Sequence, residues 1–388
     1  MGFEIMGMEI AQQPLGLLVG RMAYVFAGAF TLVLWGCGGG GSSSEPPPPA
    51  ATAAENSYSN YKAIGLLPQT LPSGDNTVRA YGNFFGDGSL GYFRAVLTYS
   101  VNNSPSDATP SRFEFYERQS DGSFILNTEI LPNADGCIHP RKAVVADFNA
   151  DGRPDIFVAC HGYDAHPFPG ERNKVVLSLP GGGYAVSDAS EDVGFFHAAT
   201  AADLNNDGLP DVVVVDNKDP MRAYVLLNDG TGHFTRESMS RLSSMVQGGN
   251  YFTVELIDVN EDGRLDLLIG GHEWEDAPTR VFINPGDNNF SAVTPLVVPP
   301  IPNEGVVLDF TVTGTGISRS IWILRTSGGD GTFYQSRVVQ KVSFPSLSST
   351  VVLNERPAHW VPWLIPAVVG GQSVVTSDNA ADDIIVLQ

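Results

Sequence analysis

The sequence has few cysteines, few basic residues and no long hydrophobic run. Three cysteines among 388 residues exclude a disulfide framework. Lysine and arginine number 22 against 43 aspartate and glutamate, a net charge of −21, which argues against a nucleic-acid partner because phosphate binding needs cations. No apolar run reaches the roughly 18 residues of a membrane-spanning helix. Hydrophobic residues still make up 43%, enough for a folded core.

The amino terminus has the features of an export signal. Residues 22–35 form an apolar run after Arg21, and this run has the length of a signal-peptide hydrophobic region. It ends in Leu34-Trp35-Gly36-Cys37, which resembles the bacterial lipobox. We therefore expect residues 1–36 to be a lipoprotein-type signal peptide and Cys37 to be lipidated. An ordinary secretory signal with an incidental cysteine is the alternative.

The segment after the signal, residues 37–57, is predicted to be a disordered tether. It contains GGGGSSSEPPPP, in which Gly and Ser favour a flexible coil and the prolines a stiff spacer. Such a tether would hold the folded body, residues 58–388, away from the membrane. Only the lipid anchor would then contact the membrane. The expected location is a bacterial membrane surface, periplasmic or at the cell exterior.

The folded body contains internal repeats. Residues 143–160, 199–216 and 254–271 are alike, and their first aspartates are 56 and 55 residues apart. Degenerate copies occur at 83–91 and 309–317, with a weaker echo near Trp363. A repeat of this length is typical of a propeller blade.

Short turns and strands fill each repeat, and helical periodicity is almost absent. Tight hairpins are predicted at 120–124, 227–234, 284–290 and 329–333, where Asp-Gly or Pro-Gly supplies the required positive φ. Four short antiparallel strands per repeat predict an all-β fold, a six- or seven-bladed β-propeller. The last strand, 382–388, is expected to pair with a strand near 61–67 and close the ring. A pair of β-sandwiches is the alternative.

Each of the three clear repeats contains the pattern Asp-x-Asn-x-Asp-Gly-x-x-Asp. Alternating oxygen-bearing side chains in a tight loop point at one centre, glycine permits the turn, and the next carbonyl adds an oxygen. This all-oxygen set suits calcium better than magnesium or zinc, so we expect three calcium ions. Acidic turns that bind nothing are the alternative. The predicted ligands are Asp147, Asn149, Asp151, Arg153 (carbonyl), Asp155; Asp203, Asn205, Asp207, Leu209 (carbonyl), Asp211; Asp258, Asn260, Asp262, Arg264 (carbonyl) and Asp266.

With their hairpins and blade length, these loops resemble the FG-GAP/VCBS repeats that build the propeller of integrin α-chains and many bacterial surface proteins. The resemblance covers roughly residues 60–388 and is specific at the three loops. It implies that each calcium loop joins the first and second strands of a blade. The degenerate copies near Asn83 and Asp309 have lost most carboxylates, so no ion is expected there. The calcium ions are expected mainly to stabilise the fold.

Given that connectivity, the start of each first strand and the end of each second strand lie opposite the calcium loops. Five of the seven histidines fall in these segments. Polar and aromatic groups that converge there predict a ligand face, although each residue alone could have a structural role. Its predicted members are His139, Arg141, His161, Asp164, His197, Asn217, Asn250, Tyr251, His272, Glu273 and Trp274.

Two further interactions on this face stay open: a zinc site and a disulfide. His139, His161 and His197 could form a zinc site, because imidazoles are common zinc ligands, but the spacing does not fix their distances. Cys137 and Cys160 belong to one blade, and export to an oxidising compartment favours a disulfide between them. Two buried thiols are the alternative.

Two classes of function fit this sequence. The favoured one is a monomeric surface module that binds a glycan, a peptide or a protein, and no nucleic acid. The other is an exported hydrolase or lyase that uses His139, Arg141, His161, Asp164 or Glu273 as acid, base or anion clamp. No nucleophile motif such as G-x-S-x-G is present.

Overall fold

The computed structural model describes residues 77–97, 104–329, 331–356, 361, 363–369, 372–377 and 385–387. All of them belong to the second of two compact units, residues 51–388. The predicted signal peptide, Cys37 and the tether therefore lie outside the described residues. Within the described part, no helix has the length and apolar character needed to cross a membrane.

The described chain is built from 23 strands in six antiparallel sheets. Blade 1 contains β1 (Thr77–Gly82), β2 (Gly91–Val96), β3 (Phe113–Arg118) and β4 (Phe124–Asn127). Blade 2 contains β5 (Pro140–Ala146), β6 (Asp155–Cys160), β7 (Lys174–Ser178) and β8 (Tyr184–Asp188). Blade 3 contains β9 (Phe196–Ala202), β10 (Asp211–Asp216), β11 (Ala223–Asn228) and β12 (Phe234–Arg236).

The remaining sheets follow in chain order. Blade 4 contains β13 (Tyr251–Ile257), β14 (Asp266–Gly271), β15 (Arg280–Phe282) and β16 (Leu296–Val297). Blade 5 contains β17 (Val306–Thr313), β18 (Ser320–Thr326), β19 (Arg337–Ser343) and β20 (Ser349–Glu355). A smaller sheet contains β21 (Ile365–Val369), β22 (Gln372–Thr376) and β23 (Ile385–Leu387). Short 3-10 helices lie at Pro105–Asp107, Ser244–Val246 and Gly316–Ser318.

The five four-stranded sheets are arranged as propeller blades. Each is a meander in which sequential strands are neighbours, and the first strands of blades 1 to 5 contact one another in order around the axis. The second strands are buried along their whole length in blades 2, 3 and 4, which explains apolar runs such as Val212 to Val215 in β10. Apolar clusters fill the space between blades, as where Val144 and Phe157 of blade 2 pack with Val214 of blade 3.

The predicted propeller is confirmed, but the predicted blade count is wrong. The described residues form five four-stranded blades rather than six or seven. The described residues of the weak last repeat supply the three strands of the smaller sheet. This sheet packs between blades 5 and 1, since Val375 shares a cluster with Trp322 of blade 5, and Ile365 shares one with Tyr92 of blade 1.

The expected closing strand is only partly described. β23 pairs antiparallel with β22, in the register Val375 to Val386. Its predicted partner near residues 61–67 lies outside the described residues, so that pairing stays a prediction.

The predicted turns have different outcomes. Residues 120–124 join β3 to β4 and residues 227–234 join β11 to β12, as tight hairpins. Residues 284–290 lie in a longer connection between β15 and β16. The tight hairpin predicted at 329–333 is wrong, because β18 ends at Thr326 and β19 begins at Arg337. In the connection between them, the Tyr334 amide donates to the Ser327 carbonyl at 3.0 Å.

A buried ion pair lies among the innermost strands. Lys142 on β5 and Glu255 on β13 place Nζ and Oε1 2.5 Å apart, and the side chains are 2% and 0% exposed. The ammonium also lies 5.9 Å from the centre of the Trp363 ring, which precedes the smaller sheet. Side chains of blade 2, of blade 4 and of the segment before the smaller sheet therefore meet at this ion pair.

Candidate functional site

The strand register places the acidic loops and the predicted ligand face at opposite ends of the blades. In blade 2, Ala146 pairs with Asp155 beside the acidic loop, and Pro140 pairs with Cys160 at the other end. Blades 3 and 4 repeat this arrangement, with Asp211 and Asp266 beside their acidic loops. Each acidic loop connects the first and second strands of its blade.

A β-bulge in the first strand positions one side chain per blade at the predicted ligand face. Residue pairing skips Arg141 in β5, His197 in β9 and Phe252 in β13. Each of these residues stands six positions before the first aspartate of its acidic loop. The skipped residue in blade 5 is Leu308. A bulge re-aims the extra side chain, so the repeats present equivalent positions here.

These residues and their neighbours form a continuous cluster of rings, which we call the imidazole–aromatic patch. Ring centroids are 5.2 Å apart for His139 and His161, 4.6 Å for His161 and His197, and 4.6 Å for His197 and Phe252. The cluster continues with separations of 4.6 Å from Phe252 to His272 and 4.4 Å from His272 to Trp274. The patch consists of His139, Arg141, His161, His197, Phe252, His272, Trp274, Phe333 and Tyr334.

Arg141 is the cation of the patch. Its guanidinium carbon lies 5.5 Å from the centre of the Phe252 ring, and its Nη1 lies 3.3 Å from His139 Nε2. An arginine stacked on an aromatic ring with part of its surface in solvent is well suited to bind an anionic or polar ligand.

Burial keeps the imidazoles of the patch uncharged at neutral pH. It lowers the pKa of His139 and His197 well below the usual 6.5, and nearby Arg141 lowers both further. Burial also lowers the pKa of His161 to about 4, against the opposing effect of Asp164. The pKa of His272 is lowered by burial too, although Glu275 opposes this change.

A disulfide and a backbone hydrogen bond fix the first two histidines. Cys137 and Cys160 are joined as a disulfide with their Cα atoms 5.9 Å apart. The His161 amide donates to the His139 carbonyl at 2.9 Å. The chain before β5 folds back so that Cys137 reaches Cys160, and the amide of Ile138 donates to the Glu171 carboxylate at 2.9 Å.

Three of the predicted ligand-face residues make contacts that hold the blades together. Tyr251 is buried, and its hydroxyl accepts from Arg280. Asn217 bonds both backbone groups of Tyr251, at 2.8 and 3.2 Å, and so links blade 3 to blade 4. Glu273 pairs with buried Arg325 at 2.9 Å.

Other predicted residues lie at or beside the patch. Asn250 donates to Glu275 at 2.8 Å, and Glu275 accepts from His272 Nδ1 at 2.6 Å. Asp164 lies 3.9 Å from His161 Nε2.

The prediction of this face missed three ring-bearing residues, Phe252, Phe333 and Tyr334. The spacing of six residues before the first aspartate, shared with Arg141 and His197, would have identified Phe252. Phe333 and Tyr334 come from the loop between β18 and β19, and no repeat signal marks them.

The acidic loops are compact and similar to one another. The carboxylate of the first aspartate accepts from the backbone of the fifth and sixth positions, as Asp147 does from Asp151 at 3.0 Å and Gly152 at 2.8 Å. The sixth-position glycines have positive φ, from 81° to 88°, as the predicted sharp turn requires.

The last aspartate of each acidic loop is buried and binds backbone amides. Asp155 accepts from Phe148 at 2.8 Å and from Ser178 at 2.7 Å. Burial raises the pKa of Asp155, Asp211 and Asp266 to about 6. A bound cation would stabilise these carboxylates in their charged form, so the donor chemistry fits calcium. In the third loop, Arg264 also pairs with Asp262 at 2.5 Å.

Two sets of three possible metal ligands stand out among the described residues. In each, one ligand atom per residue lies within 4.8 Å of the other two. One set is Cys137, Cys160 and Glu171, in which the disulfide occupies both sulfurs. The other is His139, His161 and Asp164, within the ligand face. The acidic loops do not form such a set.

Comparison with known protein families supports the repeat. The family model described as FG-GAP-like repeat matches residues 203–269, which contain the second and third acidic loops. No curated protein matches the chain.

Three solved structures align with most of the chain at low identity. A candidate 6-phosphogluconolactonase from Bacteroides fragilis NCTC 9343 is 12% identical, over 82% of this chain and 88% of its own, with a TM-score of 0.41. The exotype rhamnogalacturonan lyase YesX is 12% identical over 80% of this chain, with a TM-score of 0.39. The rhamnogalacturonan lyase YesW is 11% identical over 81%, with a TM-score of 0.41. The aligned parts are 56% of YesX and 58% of YesW.

Proposed function

We propose that this protein is an exported, membrane-tethered, calcium-binding β-propeller that binds an extracellular ligand at the imidazole–aromatic patch. The observation that carries the proposal is the unbroken series of ring contacts from His139 to Trp274, built by blades 2, 3 and 4 opposite the acidic loops. A rigid scaffold that brings such groups together at one end is the usual setting of a binding site.

A glycan is the ligand class that suits the patch best. Trp274 is 37% exposed and Phe333 is 42% exposed, and their ring centroids are 5.8 Å apart. Sugar rings have apolar C–H faces that stack on such side chains, and hydroxyl groups that bond polar neighbours. Asn250 and Glu275 supply an amide and a carboxylate beside the tryptophan. A peptide or protein remains the other ligand class of this proposal.

The glycan proposal predicts a large effect of Trp274. After a glycan array identifies a ligand for the mature protein, Trp274→Ala should weaken binding at least tenfold in calorimetry, because the stacking surface is lost. Ile317→Ala is the matched control, since Ile317 is fully exposed at the acidic-loop end, where the adjacent Gly316 amide contacts Glu261. Equal affinity in both variants would contradict the proposal. If the mature protein captures a peptide or a protein instead, the proposed binding site would stand and the ligand class would change.

An exported hydrolase or lyase is the second candidate. The supporting observation is an acid–base pair at the patch, in which His272 Nδ1 lies 2.6 Å from Glu275. Arg141, beside His139, would serve as the anion clamp. Turnover of a captured glycan, lost in His272→Ala while binding persists, would favour this candidate over the binding module.

The proposed membrane anchor rests on Cys37, outside the described residues. In a bacterial host, Cys37→Ala should abolish incorporation of labelled fatty acid and move the protein from the membrane fraction to the soluble fraction, because one thiol carries the lipid. A variant that keeps its label and its membrane association would show that the chain is not a lipoprotein. An unlabelled wild type in the soluble fraction would indicate an ordinary secretory signal.

A further inference from the structure

We propose that His139, His161 and Asp164 form a second kind of metal site, which binds one divalent ion that prefers nitrogen ligands, with zinc as the best fit. One ligand atom from each residue lies within 4.8 Å of the other two. Two imidazoles and a carboxylate are a common zinc-binding set. Two of these ligands, His139 and His161, also belong to the imidazole–aromatic patch, but the proposal requires neither the proposed ligand nor the calcium loops.

The two histidines are held in place before any ion binds. The disulfide between Cys137 and Cys160 lies two residues before His139 and one before His161. The hydrogen bond from the His161 amide to the His139 carbonyl ties the same two segments at 2.9 Å. A preformed pair of ligands loses little conformational freedom on binding, which favours affinity.

The ring of His161 also has an orientation that suits metal coordination. Its Nδ1 lies 3.4 Å from the Gly162 carbonyl, and its Nε2 lies 3.9 Å from the Asp164 carboxylate. A proton on Nδ1 directed at a carbonyl leaves the Nε2 lone pair directed at the third ligand. Metal-binding histidines in proteins are commonly oriented in this way.

The burial of the three ligands indicates an open coordination position. His139 is 6% exposed and His161 is 3% exposed, while the Asp164 side chain is 40% exposed. Three protein ligands with one side towards solvent leave room for water or for an incoming group. His197, whose ring centroid is 4.6 Å from that of His161, lies outside the set of three.

Arg141 opposes the ion in this arrangement. Its Nη1 lies 3.3 Å from His139 Nε2 and competes for that lone pair. Its positive charge also repels a cation at this distance. Arg141 is only partly buried, so it can move towards solvent when the ion binds.

The test is a zinc titration of the mature protein by calorimetry, with excess calcium present so that the oxygen-rich loops are saturated. We expect one equivalent of zinc. His161→Ala should weaken binding about 100-fold or more and Asp164→Asn about tenfold, whereas Arg141→Gln should strengthen it about tenfold. His166→Ala and His233→Ala, which replace exposed histidines, are matched controls and should leave affinity unchanged.

Cobalt substitution provides a second readout. Bound Co²⁺ should give visible absorption that zinc displaces and that His161→Ala and Asp164→Asn lose. Asp164 is half-exposed, so its variant should fold even where His161→Ala does not. Absence of a stoichiometric site, or binding that His233→Ala removes and Asp164→Asn does not, would overturn the assignment. Glycan capture that persists in zinc-free protein would leave the proposed function standing.

Discussion

Lys142→Met should lower the free energy of unfolding by about 3 to 5 kcal/mol, the largest single-residue effect expected in this chain. The substitution leaves the Glu255 carboxylate, which is 0% exposed, without its ammonium partner at 2.5 Å. A charge buried without its partner costs far more than the pair itself contributes. Urea unfolding followed by tryptophan fluorescence measures the change.

Two controls separate burial from charge loss. Lys174→Met breaks a half-exposed pair with Asp188, also at 2.5 Å, and should cost less than about 1 kcal/mol. The double variant Lys142→Met, Glu255→Leu removes both charges and should recover most of the lost stability. If the double variant is no more stable than Lys142→Met alone, loss of the ammonium beside the Glu255 carboxylate is not the cause.

Removal of calcium should give the second large effect. If the three acidic loops bind ions, chelation should lower the melting temperature sharply. Each ion bound only by the folded state contributes about 2.7 kcal/mol at one hundred times its dissociation constant. Calorimetric melting with and without chelator, together with elemental analysis of the purified protein, measures the effect and the stoichiometry.

Single-loop variants make the calcium prediction specific. Asp203→Asn together with Asp207→Asn should lower the calcium content from three ions to two and reduce the effect of chelation. Asp87→Asn is the matched control, because Asp87 lies in the degenerate copy of blade 1, where no ion is expected. A melting temperature that chelation leaves unchanged, in protein without bound calcium, would contradict the proposal.

The position of the face could be predicted from the sequence because the resemblance to FG-GAP/VCBS repeats implies the strand connectivity. When an acidic loop joins the first and second strands, the start of the first strand and the end of the second lie together at the end of the blade opposite the loop. His139 and His161 therefore meet there. The blade count could not be predicted from the repeats, because their weak last copy near Trp363 does not reveal that its described residues form three strands rather than four.

The composition of the face was only partly predictable. A sequence does not show where the register between two strands shifts. The bulges at Arg141 and Phe252 could therefore be recognised only by their shared spacing from the acidic loops. Asn217 and Tyr251 hold two blades together, a role set by packing between repeats rather than within one. Tyr334 reaches the patch from a loop whose glycines favoured a tight hairpin instead.

The bulged position also bears on how such a surface can diversify. Arg141, His197 and Phe252 are skipped by the ladders of three successive blades, so these positions carry three different chemistries on the same backbone. Substitution at these positions changes the side chains that the patch presents while the strand pairing stays intact. Proteins with this architecture can therefore acquire new ligand preferences through three residues.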